Sequence, residues 1–159
     1  VDGTAPAGCP HPSAIPIPRE EIGVDIQPMT TTETVTADRR WLRNLHGSGM
    51  NATITLDVSK FTVSTHYTAA TATNPYAVFK SGLPLGKITA SGLYAPYASG
   101  ASDGTQILAG LLATDTSFNP AVTKVAGALL VHGDVDTAKL PVALTVPVAA
   151  SRTDLIRFA

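Results

Sequence analysis

Apolar and polar positions alternate most regularly at the start of "NATITLDVSKFTVSTHY", where Ile54, Leu56 and Val58 interleave with Thr53, Thr55 and Asp57. A period of two places every second side chain on one face, so this stretch predicts a half-buried strand. After the Ser59-Lys60 break, "FTVSTHY" reads as a second extended piece, and "AATATN" (Ala69 to Asn74) as a small polar linker. From Phe79 to Asp115 glycines punctuate short apolar runs. "SGLPLGKIT" predicts a turn at Ser81-Gly82 and a strand from Pro84 through Ile88. "ASGLYAPY" repeats the device, with Gly92 ahead of Leu93, Tyr94 and Tyr97, and "SGASDGT" reads as a loop. "QILAGLLATD" has a helical period. Gly110 in its middle, the preceding Asp103-Gly104 turn and its short length favour a buried strand.

"TKVAGALLVHGDV" predicts another buried strand, and "DVDTAKLP" one short helical turn stopped before Pro141. "VALTVPV" and "TDLIRFA" close the chain as extended segments, with Pro147 putting the former at a sheet edge. Upstream, Asp38 is placed to cap a helical turn over Arg39 to Leu45 that Gly47 would end. Such a turn sets Trp41, Leu42 and Leu45 on one side. The pattern as a whole predicts a mainly β fold (β-rich α+β): a compact many-stranded sandwich or barrel-like body with one or two short helices.

The first 28 residues differ in kind, and on composition alone they read as a disordered tail, the alternative being an ordered arm. "APAGCPHPSAIPIP" holds five prolines in fourteen residues, which removes backbone donors and biases the chain to extended, polyproline-like geometry. "TTTETVTA" (Thr30 to Ala37) is rich in β-branched residues and reads as a strand or an arm able to add to a sheet edge. The expected division is an extended Pro/Thr-rich N-terminal arm over 1–37 and a β domain over 38–159.

Composition narrows the function. Of the 159 residues 44% are hydrophobic, enough for a packed core, but only 14% are charged and the formal net charge is −1. Nucleic-acid binders carry a basic excess, which this chain lacks. Low charge also favours a chain that buries surface against other chains. The single cysteine, Cys9, rules out a disulfide framework within the chain. No apolar run nears the length of a membrane span, and the start of the chain lacks a basic region followed by an apolar one, so an intracellular product is expected.

Candidate chemistry is sparse. Asp103, Asp115, Asp134 and Asp136 stand in turn contexts, where aspartate bonds its own backbone. His11, His46, His66 and His132 are far apart in sequence, and Cys9 with His11 is too little for tetrahedral coordination. No serine sits in a nucleophile elbow, and "PLGKIT" lacks the glycine a phosphate-binding loop needs. The expectation is a protein that is not an enzyme and uses no metal or cofactor. One cluster stands out: "RRWLR" sets Arg39, Arg40 and Arg43 around Trp41, the sole tryptophan. Arginine and tryptophan are enriched at interfaces. The equal alternative is that Trp41 plugs the local core while the arginines are solvated.

The segment "KSGLPLGKITASGLYAPYASGASDGTQILAGLLATD" resembles the core signature of lambda-type head decoration proteins of tailed phages. The resembling positions are Leu85-Gly86, Gly92 to Pro96, Asp103-Gly104 and Gly110 to Leu112. "DRRWLRNLHG", "TITLDVSKFT", "GALLVHGDVDTAKLPV" and "IRF" are similar to the actinobacterial-phage versions, so the likeness covers roughly Asp38 to Phe158. The resemblance implies a capsid decoration (cement) protein. It would be made in the host cytoplasm and carried on the outer surface of the virion's capsid. Its implied partners are the major capsid protein and itself, as a homotrimer, with no direct contact to nucleic acid or membrane. Capsid-binding residues are expected in the arm (Thr31, Thr32, Thr34, Val35) and in the adjacent cluster (Arg39, Arg40, Trp41, Arg43). A β-rich surface-displayed binding module, for example for carbohydrate, is the alternative, although 6% aromatic residues is thin for it.

Overall fold

The computed structural model describes Gly3 and residues 38–159. The expected arm over 1–37 lies almost wholly outside the described residues. Within 38–159 the fold is mainly β, as the alternation and glycine spacing predict. Ten strands run in chain order: β1 (Asn51–Asp57), β2 (Tyr67–Thr68), β3 (Ala77–Phe79), β4 (Pro84–Lys87), β5 (Tyr94–Pro96), β6 (Leu108–Leu112), β7 (Thr116–Phe118), β8 (Lys124–Leu130), β9 (His132–Val135) and β10 (Leu155–Phe158). The helices among the described residues are single 3-10 turns, Val58–Lys60, Thr137–Lys139 and Ala149–Ser151.

Five strands close a small barrel in the order β1-β5-β4-β6-β8. Its longest seam is the antiparallel pairing of β1 with β8, from Asn51 opposite Leu130 to Asp57 opposite Lys124. The barrel is closed by parallel pairing of β1 with β5 at Leu56 and Tyr94. Ile54 and Leu56 point inward and are buried, whereas Thr53 and Thr55 are exposed, so the predicted half-buried strand is present. "LAGLL" is buried along its whole length as β6 and pairs with both β4 and β8, as expected of a strand rather than a helix.

Closure at this size requires backbones to approach without side chains between them. A Cβ on Gly86 would lie 2.5 Å from the Thr105 carbonyl oxygen and 2.6 Å from its Cα. Only glycine lets β4 run against the 103–105 turn, and the pairing of β4 with β6 shifts register between Leu85 and Gly86.

A first core joins Ile54, Leu56, Leu85, Leu112 and Leu129 of the barrel to a ring cluster carried largely by the three-stranded sheet β2-β3-β7. Phe79 stacks on Phe118 at 4.3 Å between centroids, and Phe61 and Tyr67 meet Phe79 edge-on at 4.7 and 5.5 Å. Such rings add to simple area burial when offset or edge-to-face. A second core joins Trp41, Leu111, Ala113, Leu130, Val135 and Ile156, beneath the parallel pair β9–β10.

Several local expectations differ. No helix spans Arg39 to Leu45. Leu42 instead bridges Val135, and the Arg43 N–H donates to the Asp134 carbonyl at 2.9 Å, so this segment lies along β9. Trp41 goes inward while Leu45 is 80% exposed, so the two do not share a side. The "TKVAGALLVHGDV" run is two strands, β8 and β9, in different sheets, and most of β8 is not fully buried. "FTVSTHY" is not a continuous strand: a turn over Ser64 to His66 separates Val63 from Tyr67, which bridge each other, and only Tyr67 enters β2; "VALTVPV" forms no strand. The expected turn after "DVD" is present: the Asp136 carboxylate accepts from the Ala138 N–H and caps Thr137–Lys139, which ends before Pro141.

Candidate functional site

The Asp38–Arg43 segment is fixed to the body at the Ser81-Gly82 turn. The Ser81 hydroxyl donates to the Asp38 carbonyl at 2.6 Å, and the Trp41 Nε1–H donates to Ser81 Oγ at 3.3 Å. Gly82, at φ +80°, lies so close under the indole that a Cβ there would be 2.9 Å from two ring atoms. The turn is itself held by Asp115, whose carboxylate accepts from the Ser81 N–H at 2.7 Å. Pro141 packs on the same glycine and helps line a hollow of about 130 Å³ with Asp38, Trp41, Lys80, Ser81 and Asp115.

Around this anchor the charged side chains face outward. Arg39, Arg40 and Arg43 are exposed, while Trp41 is 2% exposed and belongs to the second core. The structure therefore separates the two halves of the "RRWLR" cluster: the indole is used within the chain and the guanidinium groups are presented. Arg40 grips Asp38 through Nε and a terminal nitrogen at 2.9 and 2.6 Å. These hydrogen bonds, followed by the Arg40 N–H to the same carboxylate, hold the Asp38 pKa down at about 2. Arg39 and Arg43 make no ion pair among the described residues, although Arg43 helps lower the Asp136 pKa behind the larger effect of Lys139. Thr31, Thr32, Thr34 and Val35 lie outside the described residues.

The candidate carboxylates divide. Asp103 accepts from the Thr105 N–H and hydroxyl at 3.0 and 2.6 Å, which lowers its pKa, and Asp136 caps its own turn. Those two behave as turn aspartates. Asp115 and Asp134 do not: Asp115 holds Ser81, and Asp134 accepts from the Asn44 side chain at 3.2 Å. The turn expectation fails at these two because each partner comes from a remote part of the chain.

Two groupings have no counterpart in the sequence reading. His46 and His132 meet edge-to-face at 5.0 Å, brought together because the 44–50 loop lies over β9. Arg152 reaches Asp154 at 2.8 Å and the Ile156 carbonyl at 2.5 Å, with its guanidinium 4.8 Å from the Phe158 centroid. The only local signal for the latter was charge alternation in "SRTD". Among the described residues no group of three or more His, Cys, Asp or Glu side chains could hold a metal ion. No helix among them is long and apolar enough to cross a membrane. Compared with family models, curated proteins and solved structures, the chain matches none.

Proposed function

We propose that the protein is a capsid decoration protein that binds the exterior of an expanded icosahedral phage head, bridges capsomers at three-fold positions and resists internal DNA pressure. One observation carries the reading. The residues that give the sequence its resemblance to lambda-type decoration proteins fall on adjoining parts of one barrel. Leu85-Gly86 lie on β4, Gly92 to Pro96 lead into and form β5, Asp103-Gly104 make the turn against β4, and Gly110 to Leu112 lie on β6.

The mechanism needs a rigid body, a self-contact and an adhesive extension. The exposed Arg39, Arg40 and Arg43 and the arm residues Thr31, Thr32, Thr34 and Val35 form the shell-facing element, with Trp41 anchoring it from inside. The partners are the major capsid protein and two further copies of the chain. Three such elements on one trimer act together, so individually weak contacts multiply through effective concentration. Strand addition by the arm supplies backbone hydrogen bonds without a strongly charged surface, in keeping with 14% charged residues.

The test is addition of the purified chain to expanded capsids that lack a decoration protein, followed by cryo-electron microscopy. Density at three-fold positions is expected; capsids left bare at saturating protein would overturn the assignment.

A further inference from the structure

Strand β10 lies at the margin of its sheet. Among the described residues it pairs with β9 and with no other strand, while Leu42 bridges β9 at Val135. The Leu155 and Ala159 N–H groups donate to the Val131 and Val135 carbonyls. Backbone groups of alternate residues point to opposite sides of a strand, so the N–H and C=O of Ile156 face away from β9. An outward donor and acceptor of this kind are a template for a further strand.

The sequence of the strand does little to discourage one. Residues 155–158 contain no proline, their one charge is Arg157, and Leu155 is 77% exposed. In an antiparallel pairing of two copies centred on Ile156, the two Ile156 residues would exchange both backbone bonds. Arg157 of each copy would then stand opposite Leu155 of the other. Such a pairing is two-fold symmetric and opposes no like charges.

Both outward groups of Ile156 are instead taken by side chains of its own chain. Asp154 Oδ1 accepts from the Ile156 N–H at 3.0 Å, and Arg152 donates to the Ile156 carbonyl at 2.5 Å. The two side chains hold each other at 2.8 Å, with the guanidinium over the Phe158 ring. This pair is poorly arranged for stability alone. The Asp154 side chain is fully buried and its Oδ2 has no hydrogen-bond partner. A buried ion pair left with an unsatisfied oxygen gains little over apolar residues of similar volume. We propose that Arg152 and Asp154 are an edge guard: they occupy the outward backbone groups of Ile156 and so keep β10 of a second copy from adding antiparallel to this strand. The inference concerns a two-fold contact and stands apart from the trimer of the capsid reading.

The test compares the full-length chain with R152M/D154L, under reducing conditions because of Cys9. The double substitution removes both clips and fills the buried space with apolar groups. The variant should keep the circular dichroism of the unaltered chain. In sedimentation velocity it should associate beyond the state of the unaltered chain, at concentrations at least about tenfold lower. Hydrogen exchange locates the contact: the Ile156 amide of the variant should slow as its concentration rises, by about tenfold at saturation. Adding L155R, at an exposed position, sets two cations opposite one another at each end of the pairing and should abolish the association. A folded R152M/D154L chain that associates no more than its parent, or whose association survives L155R, would overturn the proposal. So would loss of folding in R152M/D154L, which would make the pair a support of the fold and not a guard of its edge.

Discussion

In the barrel each strand has a partner on both sides, and the tightest approaches are made backbone to backbone across glycine. The Asp38–Arg43 segment is held differently, by an indole under Gly82, two hydrogen bonds at Ser81 and a short run along β9. The first arrangement fills its inward positions and locks its register all round, leaving only the outward side chains such as Thr53, Thr55 and Lys87 at the surface. The second fixes one ring and leaves three guanidinium groups outside. The difference teaches that burial and exposure are divided even within five consecutive positions: Trp41 is spent on the fold, and its arginine neighbours are left on the surface.

Substitutions on the barrel side should show the largest effects. Phe79 is fully buried and touches three other rings, so F79A should lower unfolding free energy by about 3–5 kcal/mol in urea denaturation. A loss below about 1 kcal/mol would mean that the ring cluster is not part of the cooperative core. Next comes G86A, which forces Cβ into the Thr105 backbone and should cost about 1–3 kcal/mol. The control G100A meets nothing within 4 Å and should stay within about 0.5 kcal/mol of the parent. Equal effects from the two glycines would erase the claim that close approach, rather than flexibility, sets the first.

At the boundary between the two regions, S81A removes the acceptor for Trp41 and the donor to the Asp38 carbonyl while keeping the backbone bond to Asp115. It should cost about 1–2 kcal/mol and shift the Trp41 fluorescence to longer wavelength as the anchor loosens. An unmoved emission maximum would show that Gly82 packing alone fixes the ring.

Legibility in the sequence followed the same division. Strand β1 could be read from alternation because its two faces meet different surroundings, and β6 because Gly110 interrupts a helical pattern that also lacked length. The capped turn at Asp136 was readable for the same local reason. What could not be read was decided by residues far away in the chain. The helical turn predicted over Arg39 to Leu45 is replaced because Gly82 accepts the indole and β9 offers an edge to Leu42. The parallel closure of β1 on β5, the meeting of His46 with His132 and the attachment of Asp115 to Ser81 leave no periodic trace. At the candidate site the residue types were legible, but the inward turn of Trp41 was not, since "RRWLR" carries no record of the glycine that receives it.

Removing the exposed charges sharpens the comparison from the other side. The triple substitution R39A/R40A/R43A should leave the urea midpoint unchanged within error while weakening capsid binding, the reverse of F79A, which should lower stability first. Loss of stability in the triple variant would show that the segment is held by its charges and not by Trp41 and Ser81. Unchanged capsid binding would remove the arginines from the shell-facing element.

The smallest effect concerns Asp38 itself. Its carboxylate is exposed, and its folded pKa of about 2 lies below the usual 3.8 chiefly because Arg40 donates to it. A depressed pKa means that the folded state favours the ionised form. The stabilisation is therefore fully present above pH 3.8 and is lost as the pH falls through about 2. Screening by solvent keeps the contribution to global stability small, so the measurement is site-resolved: NMR titration of the Asp38 side chain in the parent and in R40A. The midpoint should stand near 2 in the parent and return towards 3.8 when the guanidinium is gone. An identical midpoint in both chains would assign the depression to the local backbone, leaving Arg40 as free as Arg39 and Arg43 to meet another surface.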